Sequence, residues 1–555
     1  MEQQLNGRIV EKIVQNQTNE NEIEQIFLKL LIRISIGEME RAGIEYSFIK
    51  GRSLILEREA EELLAKIYRD LELDTILGSI NLMELSNSEI AKIVPFFEEE
   101  LDRKIQLYCH SYSKERIILT LLQFSSVISR LSFEAYEDTT EISQEQSEWQ
   151  KLISLWQRFH RDPDMDNRGM IGGLKSSIEV AINEILLSDL EFGRNEGLIP
   201  DLEQLLILFY TKSYIWQVLN IIPILFERRN DLKINAKVGI ALPEFINQGL
   251  YKYYSRLKGV KKRILNEYSQ NVFSRFQEVF GFQPNIIMQY LLLDDNQRAH
   301  KLNEMGVSIT PKELLIEDLR LNQGLKRSGA ENAVKMFVLN DNQFTHFKAR
   351  EHFNSSNYRL FRTPLIEIEE YFLIPTSTLL ETAMYLPTRI LTRENGTNGA
   401  YEKLIHLYEF DEFDLPRIKE YLNGWNIGCL VNFQLSQVKE LKKEIEEKKI
   451  TKEFDIVYFY KGNIYIWDLK NWGFESNLIE VRRDIQNIRA YKKKQKNTRE
   501  FLLKNKSILE SYLQYSFNDI VMGILTVYPT AYNDLQSTQD EYVKSVDMFL
   551  EMKFD

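Results

Sequence analysis

The stretch EFDIVYFYKGNIYIWDLKNW, residues 453–472, sets two aspartates and a lysine inside an otherwise apolar and aromatic run. Its two halves, FDIVYFY and IYIWDLK, are rich in β-branched and aromatic residues. Lys461-Gly462-Asn463 separates them, a turn whose glycine can take a positive φ. The spacing predicts a β-hairpin. Alternation along a strand sends Asp468 and Lys470 to the same face. Folding about Gly462 brings Asp455 opposite position 468 or 469, an uncertainty of one residue that a bulge at the turn could absorb. Ile456, Val457, Ile464 and Ile466 read as buried on both faces, so the charges fall on an interior surface. Crowding two carboxylates there is costly, because each raises the other's pKa and each loses hydration. A hard divalent cation would compensate. Mg²⁺ prefers carboxylate and water oxygens, and a nearby lysine could orient a water or stabilise developing negative charge, chemistry that suits phosphodiester hydrolysis.

Working outward, the residues after 395 read helix, strand, helix, hairpin, helix, strand, helix, the last strand being DIVMGILTVY, residues 519–528. Alternating strands and helices argue for an α/β domain. The residues before about 310 are helical in pattern, as in Ile23, Ile26, Phe27, Leu30 and Leu31. Residues 358–377 read as two short strands around a Glu369-Glu370 turn, followed by a helix. We therefore expect three parts: a helical region at 1–310, a connecting module at 311–395 and an α/β domain at 396–555.

The pair Asp455 and Asp468-Leu469-Lys470, carried on successive strands, resembles the PD-(D/E)XK nuclease superfamily, the fold of many restriction enzymes and repair nucleases. The resemblance covers residues 396–555 and departs in two places, with Phe454 where the family name has proline and aspartate where glutamate is more usual. It implies a restriction-endonuclease-like α/β domain with a mixed central sheet. It also implies metal ligation by Asp455 and Asp468, assistance of the nucleophilic water by Lys470, and Mg²⁺ as cofactor with Mn²⁺ able to substitute. A glutamate from the preceding helix often joins such a site, and NGAYEKLIHLY, residues 398–408, offers Glu402, with Glu420 as a competitor. Two other D/E-x-K triplets, Asp231-Leu232-Lys233 and Glu440-Leu441-Lys442, lack an upstream hairpin with an acid in register.

The following helix adds a basic surface. Val481, Ile485 and Ile488 form its apolar stripe, and Arg482, Arg483, Gln486, Arg489 and Lys493 lie off it as candidate nucleic-acid contacts. From 482 to 506 there are ten Lys/Arg against Asp484 and Glu500, a local balance of +8 in a chain whose net charge is −12. Such a patch is an electrostatic footprint for phosphates. Gln486 also matches the polar helix residue that many such nucleases place beside the metal.

With 555 residues, 44% hydrophobic, the chain can bury about two to four domain cores. Acid-rich runs at 57–74 and 134–148 read as solvated faces and a surface connection. Cys109 and Cys429 are far apart and show no metal-ligand spacing, which fits a reducing cytosol. The first twenty residues lack the basic start and apolar core of an export signal. Residues 205–226 are apolar but broken by Thr211, Lys212, Ser213, Gln217 and Asn220, so they read as a buried helix and no membrane partner is expected. DPDMDNRG, residues 162–169, lacks the glycine and final glutamate of a calcium loop. His346 and His352, six apart, are poorly spaced for shared ligation. YKYYSRLKGVKKR, residues 251–263, mixes aromatic and basic residues and is a secondary candidate for nucleic-acid contact.

The expectation is a cytoplasmic, Mg²⁺-dependent nuclease acting on nucleic acid, DNA in preference to RNA. The helical region would recognise a trigger, a protein partner or a second copy of the chain. By architecture-level analogy the chain is a bacterial antiphage defence or restriction effector. Two alternatives stand beside it: a catalytically silent nucleic-acid-binding module, and a helical interaction scaffold with a structural C-terminal domain.

Overall fold

The computed structural model describes, with short interruptions, residues 54–73, 87–136, 168–226, 306–339, 360–382, 414–470 and 478–554, and scattered positions outside them such as Phe27, Tyr253, Arg256 and Trp472. The chain divides into two compact units, one of residues 1–243 and 276–386, the other of residues 244–275 and 387–555.

The first unit begins, among the described residues, with α1 (Leu54–Asp70), α2 (Asn87–Cys109), α3 (Lys114–Tyr136), α4 (Arg168–Leu187) and α5 (Leu202–Phe226). A short antiparallel pair follows, β1 (Ile234–Asn235) with β2 (Gly239–Ile240). Apolar residues three and four apart meet in the core, including Ala60, Leu64 and Ile67 of α1 and Leu205, Phe209 and Trp216 of α5. Thr211, Lys212 and Ser213 of α5 are buried with them, and Lys212 is neutralised by Asp102 at 2.5 Å and Glu184 at 2.9 Å. Among the described residues no helix is long and apolar enough to cross a membrane.

The same unit contains β3 (Val307–Pro311), α6 (Lys312–Asn322), α7 (Arg327–Lys335), β4 (Val338–Leu339), β5 (Leu365–Ile368) and β6 (Tyr371–Pro375). The hairpin about Glu369-Glu370 is present, and β5 and β6 belong to a four-stranded sheet in the order β3, β6, β5, β4. The boundaries differ from those read at 310 and 395. β3 pairs with β6 along five residues, and Thr378 lies 3.2 Å from Ser125 of α3, so the described part of this sheet belongs to the same compact unit as the helices. Residues 244–275 leave the helical region for the second unit, where Arg256 forms an ion pair with Asp534 and Tyr253 is buried.

The second unit comprises α8 (Leu415–Gly424), β7 (Cys429–Gln434), α9 (Lys442–Glu447), β8 (Glu453–Tyr460), β9 (Asn463–Lys470), α10 (Leu478–Lys504), α11 (Lys506–Leu513), β10 (Ile520–Thr526), β11 (Val543–Ser545) and α12 (Val546–Leu550). Its sheet is mixed, in the order β11, β10, β9, β8, β7: β9, β10 and β11 run parallel, and β8 is antiparallel to both neighbours. The parallel step from β9 to β10 needs a long crossover, which α10 and α11 supply.

Alternation divides the sheet into two buried faces. Val457, Ile464 and Ile466 pack with Phe501, Leu502 and Leu509 of the crossover helices and with Leu435, Val438 and Ile445 before the hairpin. On the other face Tyr458 and Trp467 meet Phe549 of α12, the Trp467 ring centroid 5.4 Å from that of Phe549. Gly523 lies under Trp467, and a Cβ there would come within 2.4 Å of the indole. Glycine is required because the ring occupies the place of a side chain.

Candidate active site

The register of the hairpin decides the site. The loop has two residues, Lys461 and Gly462, with φ of 47° and 74°, and Tyr460 faces Asn463. Both central residues at positive φ make the kind of turn whose twist matches the flanking strands. From that end the pairs run without a bulge to Ile456 opposite Trp467, and the same count carried one residue further would set Asp455 opposite Asp468. The far side is pinned as well: Ile464 N–H donates to Asp519 O at 3.0 Å, and Asn518 N–H to Gly462 O at 2.7 Å. Slipping one residue would move every side chain of the strand to the opposite face.

Asp455, Asp468 and Lys470 therefore share the face covered by α10. Oδ2 of Asp455 accepts the Leu469 N–H at 2.6 Å and lies 3.8 Å from the Lys470 ammonium. Asp468 is 2% exposed, and its Oδ2 accepts from Nε2 of Gln495 at 3.1 Å. The second hydrogen of that amide reaches Gly523 O at 2.8 Å, tying the acid to β10. The Tyr491 hydroxyl also donates to Asp468, and the Lys470 ammonium sits 4.7 Å from the centroid of the same ring.

Burial controls the electrostatics. It pushes Asp455 up to about 6, against the pull of Lys470 and with a further push from Asp468. Burial likewise raises Asp468, opposed by Lys470, Gln495, Tyr491 and Lys494. The Tyr491 hydroxyl is held in its protonated form by burial and by the two carboxylates. The donor set fits a hard cation. Two carboxylates lie on adjacent strands, each held in place by protein donors: Asp455 by the Leu469 N–H, and Asp468 by Gln495 and Tyr491. Among the described residues no group of three His, Cys, Asp or Glu is arranged to hold a metal.

Glu402 lies outside the described residues, as do the Asp231–Lys233 triplet, residues 162–167, His346, His352 and most of residues 251–263. Glu420 is exposed on α8, and the neighbouring Tyr421 meets Phe549 edge-on, on the side of the sheet away from the acids. Glu440-Leu441-Lys442 forms a helical turn with Leu441 in the core, not a strand.

On α10, Val481, Ile485 and Ile488 are buried as expected. Arg482 and Arg489 are half-buried, whereas Arg483, Gln486 and Lys493 are exposed. The helix residue at the acids is Gln495 and not Gln486, because the inward stripe continues from Ile488 through Tyr491, Gln495 and Thr498. The sequence carried that signal: polar residues three, seven and ten positions after Ile488 extend a buried face. The fold also engages several of the ten cations internally. Lys492 pairs with Asp540, and Arg499 pairs with both oxygens of Asp519 at 2.6 and 2.8 Å. Comparison with known proteins adds nothing to this geometry: no family model, curated protein or solved structure matches the chain.

Proposed function

We propose that the second unit is a metal-dependent nuclease of the PD-(D/E)XK type that hydrolyses phosphodiester bonds, with DNA the preferred substrate. The observation that carries this reading is the meeting, on one buried face, of two carboxylates with raised proton affinity and one lysine. A buried carboxyl held up to about 6 beside a specific charge partner is the kind of group that functional sites collect.

Asp455 and Asp468 would hold Mg²⁺, or Mn²⁺ in its place, with Glu402 as the third donor that the resemblance implies. When bound, such an ion supplies a more acidic water and neutralises charge on the phosphate. The Leu469 N–H fixes the Asp455 carboxylate, while Gln495 and Tyr491 orient that of Asp468. To Lys470 we assign the orientation of the attacking water and the stabilisation of charge developing on the phosphate oxygens. Arg483 and Lys493, exposed on α10, with Arg482 and Arg489 beside them, would track the backbone. The helical first unit would recognise a trigger or partner, and the role in antiphage defence or restriction rests on architecture alone.

The test is cleavage of plasmid, linear duplex, single-stranded DNA and RNA by wild type and Lys470→Ala, each with Mg²⁺, Mn²⁺ or EDTA. Metal-dependent cleavage by wild type, lost in the variant, supports the reading. Binding without cleavage under every condition favours the silent module, and absence of binding favours the scaffold.

A further inference from the structure

Two lysines meet the ring of Tyr491. The ammonium of Lys470 lies 4.7 Å from its centroid and that of Lys494 lies 5.5 Å from it. The two charges are therefore within about 10 Å of each other, roughly three nucleotide rises of a single strand. Lys494 reaches the ring because residues three apart on a helix are neighbours.

Four other cations of the basic run are engaged elsewhere. Lys492 pairs with Asp540 and Arg499 with Asp519, while Lys504 and Lys506 lie 4.0 and 3.7 Å from Glu444 and Glu510. Among the described residues no carboxylate lies within ion-pair distance of Lys494, which is exposed. Its charge acts on Asp468. Lys470 has a partner in Asp455 at 3.8 Å, whereas Lys494 makes no ion pair among the described residues and acts on Asp468 only through space, so its ammonium is open to an incoming anion. Like charges sharing one ring repel, and a bridging anion relieves them. An ammonium is a point donor suited to a phosphate oxygen.

We propose that Lys494 and Lys470, spaced by the ring of Tyr491, form a phosphate clamp that grips a nucleic-acid backbone beside Asp455 and Asp468 without needing a divalent ion. The clamp rests on the reading of this site as one for nucleic acid. It adds Lys494, which lies off the face of Arg482, Arg489 and Lys493, and it makes the grip on substrate separable from the chemistry.

The experiment measures binding of the full chain to a fluorescein-labelled single-stranded oligodeoxynucleotide by anisotropy in EDTA, from about 50 to about 200 mM salt. An oligoribonucleotide of the same sequence is run alongside. Wild type is compared with Lys494→Gln, Lys494→Arg and Lys443→Gln, the last an exposed lysine of α9 outside the site. Loss of one phosphate contact lowers the slope of log affinity against log salt by about 0.7 for a single strand. The deficit of Lys494→Gln relative to wild type should then be about threefold larger at the low-salt end than at the high-salt end. Lys494→Arg and Lys443→Gln should keep the wild-type slope. An unchanged slope in Lys494→Gln, or no binding by wild type in EDTA, overturns the clamp. A second arm with Mg²⁺ separates the two readings. A Lys494-dependent slope without cleavage retains the clamp and rejects the nuclease. Cleavage by wild type, with Lys494→Gln unchanged in slope and KM, does the reverse.

Discussion

Replacing Asp455 with asparagine should make the protein more stable while abolishing its metal binding. The carboxyl is held up to about 6 against an ordinary 3.8, so above pH 6 its ionisation disfavours the folded state by about 3 kcal/mol. The side chain is 26% exposed, and screening by water reduces the expected gain to about 1–2 kcal/mol at pH 8. Asparagine keeps a carbonyl oxygen for the Leu469 N–H, so the β8–β9 connection survives the change. The direction of the pH dependence follows from linkage. The folded value lies above the unfolded one, so the contribution of Asp455 is fully favourable below pH 3.8, falls as pH rises, and is lost above about 6. The advantage of Asp455→Asn should therefore be largest at pH 8, about half as large at pH 5, and nearly absent close to pH 3.8. Because the chain has two units, the readout should be local: urea-dependent hydrogen exchange of peptides covering β8 and β9. Added Mg²⁺ should stabilise wild type by about 1.4 kcal/mol for each tenfold excess over its dissociation constant, and the variant not at all. A variant less stable than wild type at pH 8, or a gain equal at pH 5 and pH 8, would refute the account of Asp455 as a strained, cation-seeking acid.

Other outcomes follow from the same geometry. Cleavage with Mg²⁺ should rise with pH through about 6, as Asp455 ionises, and a pH–rate profile flat from 5 to 8 would contradict this. Gly523→Ala, whose Cβ would meet the Trp467 ring at 2.4 Å, should cost about 1–3 kcal/mol in urea unfolding of the second unit. Gln495→Leu leaves Gly523 O and Asp468 without the amide donor, which should cost about 1–3 kcal/mol and move the acid limb of the activity profile to higher pH. Lys461→Asn, at φ 47° before Gly462, should stabilise the hairpin by several tenths of a kcal/mol, seen as slower exchange of the Tyr460 and Asn463 amides.

Much of the candidate site was legible because strand geometry is local. A period of two carries Asp468 and Lys470 to one face whatever surrounds them, and Gly462 marks where the chain turns. The helical character of the first region and the stripe of Val481, Ile485 and Ile488 were legible for the same reason, since periodicity records which face will be buried. The choice of Gln486 over Gln495 shows where this stops. Both are polar residues on one helix, and which of them reaches the acids depends on where the stripe meets the sheet.

The sequence by itself determined the hairpin, the mixed α/β order of the last part and the meeting of Asp455, Asp468 and Lys470, because neighbours along a strand or across a tight turn are fixed by backbone geometry. Only the tertiary structure decided the rest. It resolved the one-residue ambiguity of register through a two-residue turn, joined residues 244–275 to the second unit through Arg256 and Asp534, and engaged Lys492 and Arg499 internally. It also brought Tyr491, Lys494 and Gln495 to the acids. Each of these partners lies some twenty or more residues from the group it meets, and at that separation the way helices and strands pack decides which side chains touch.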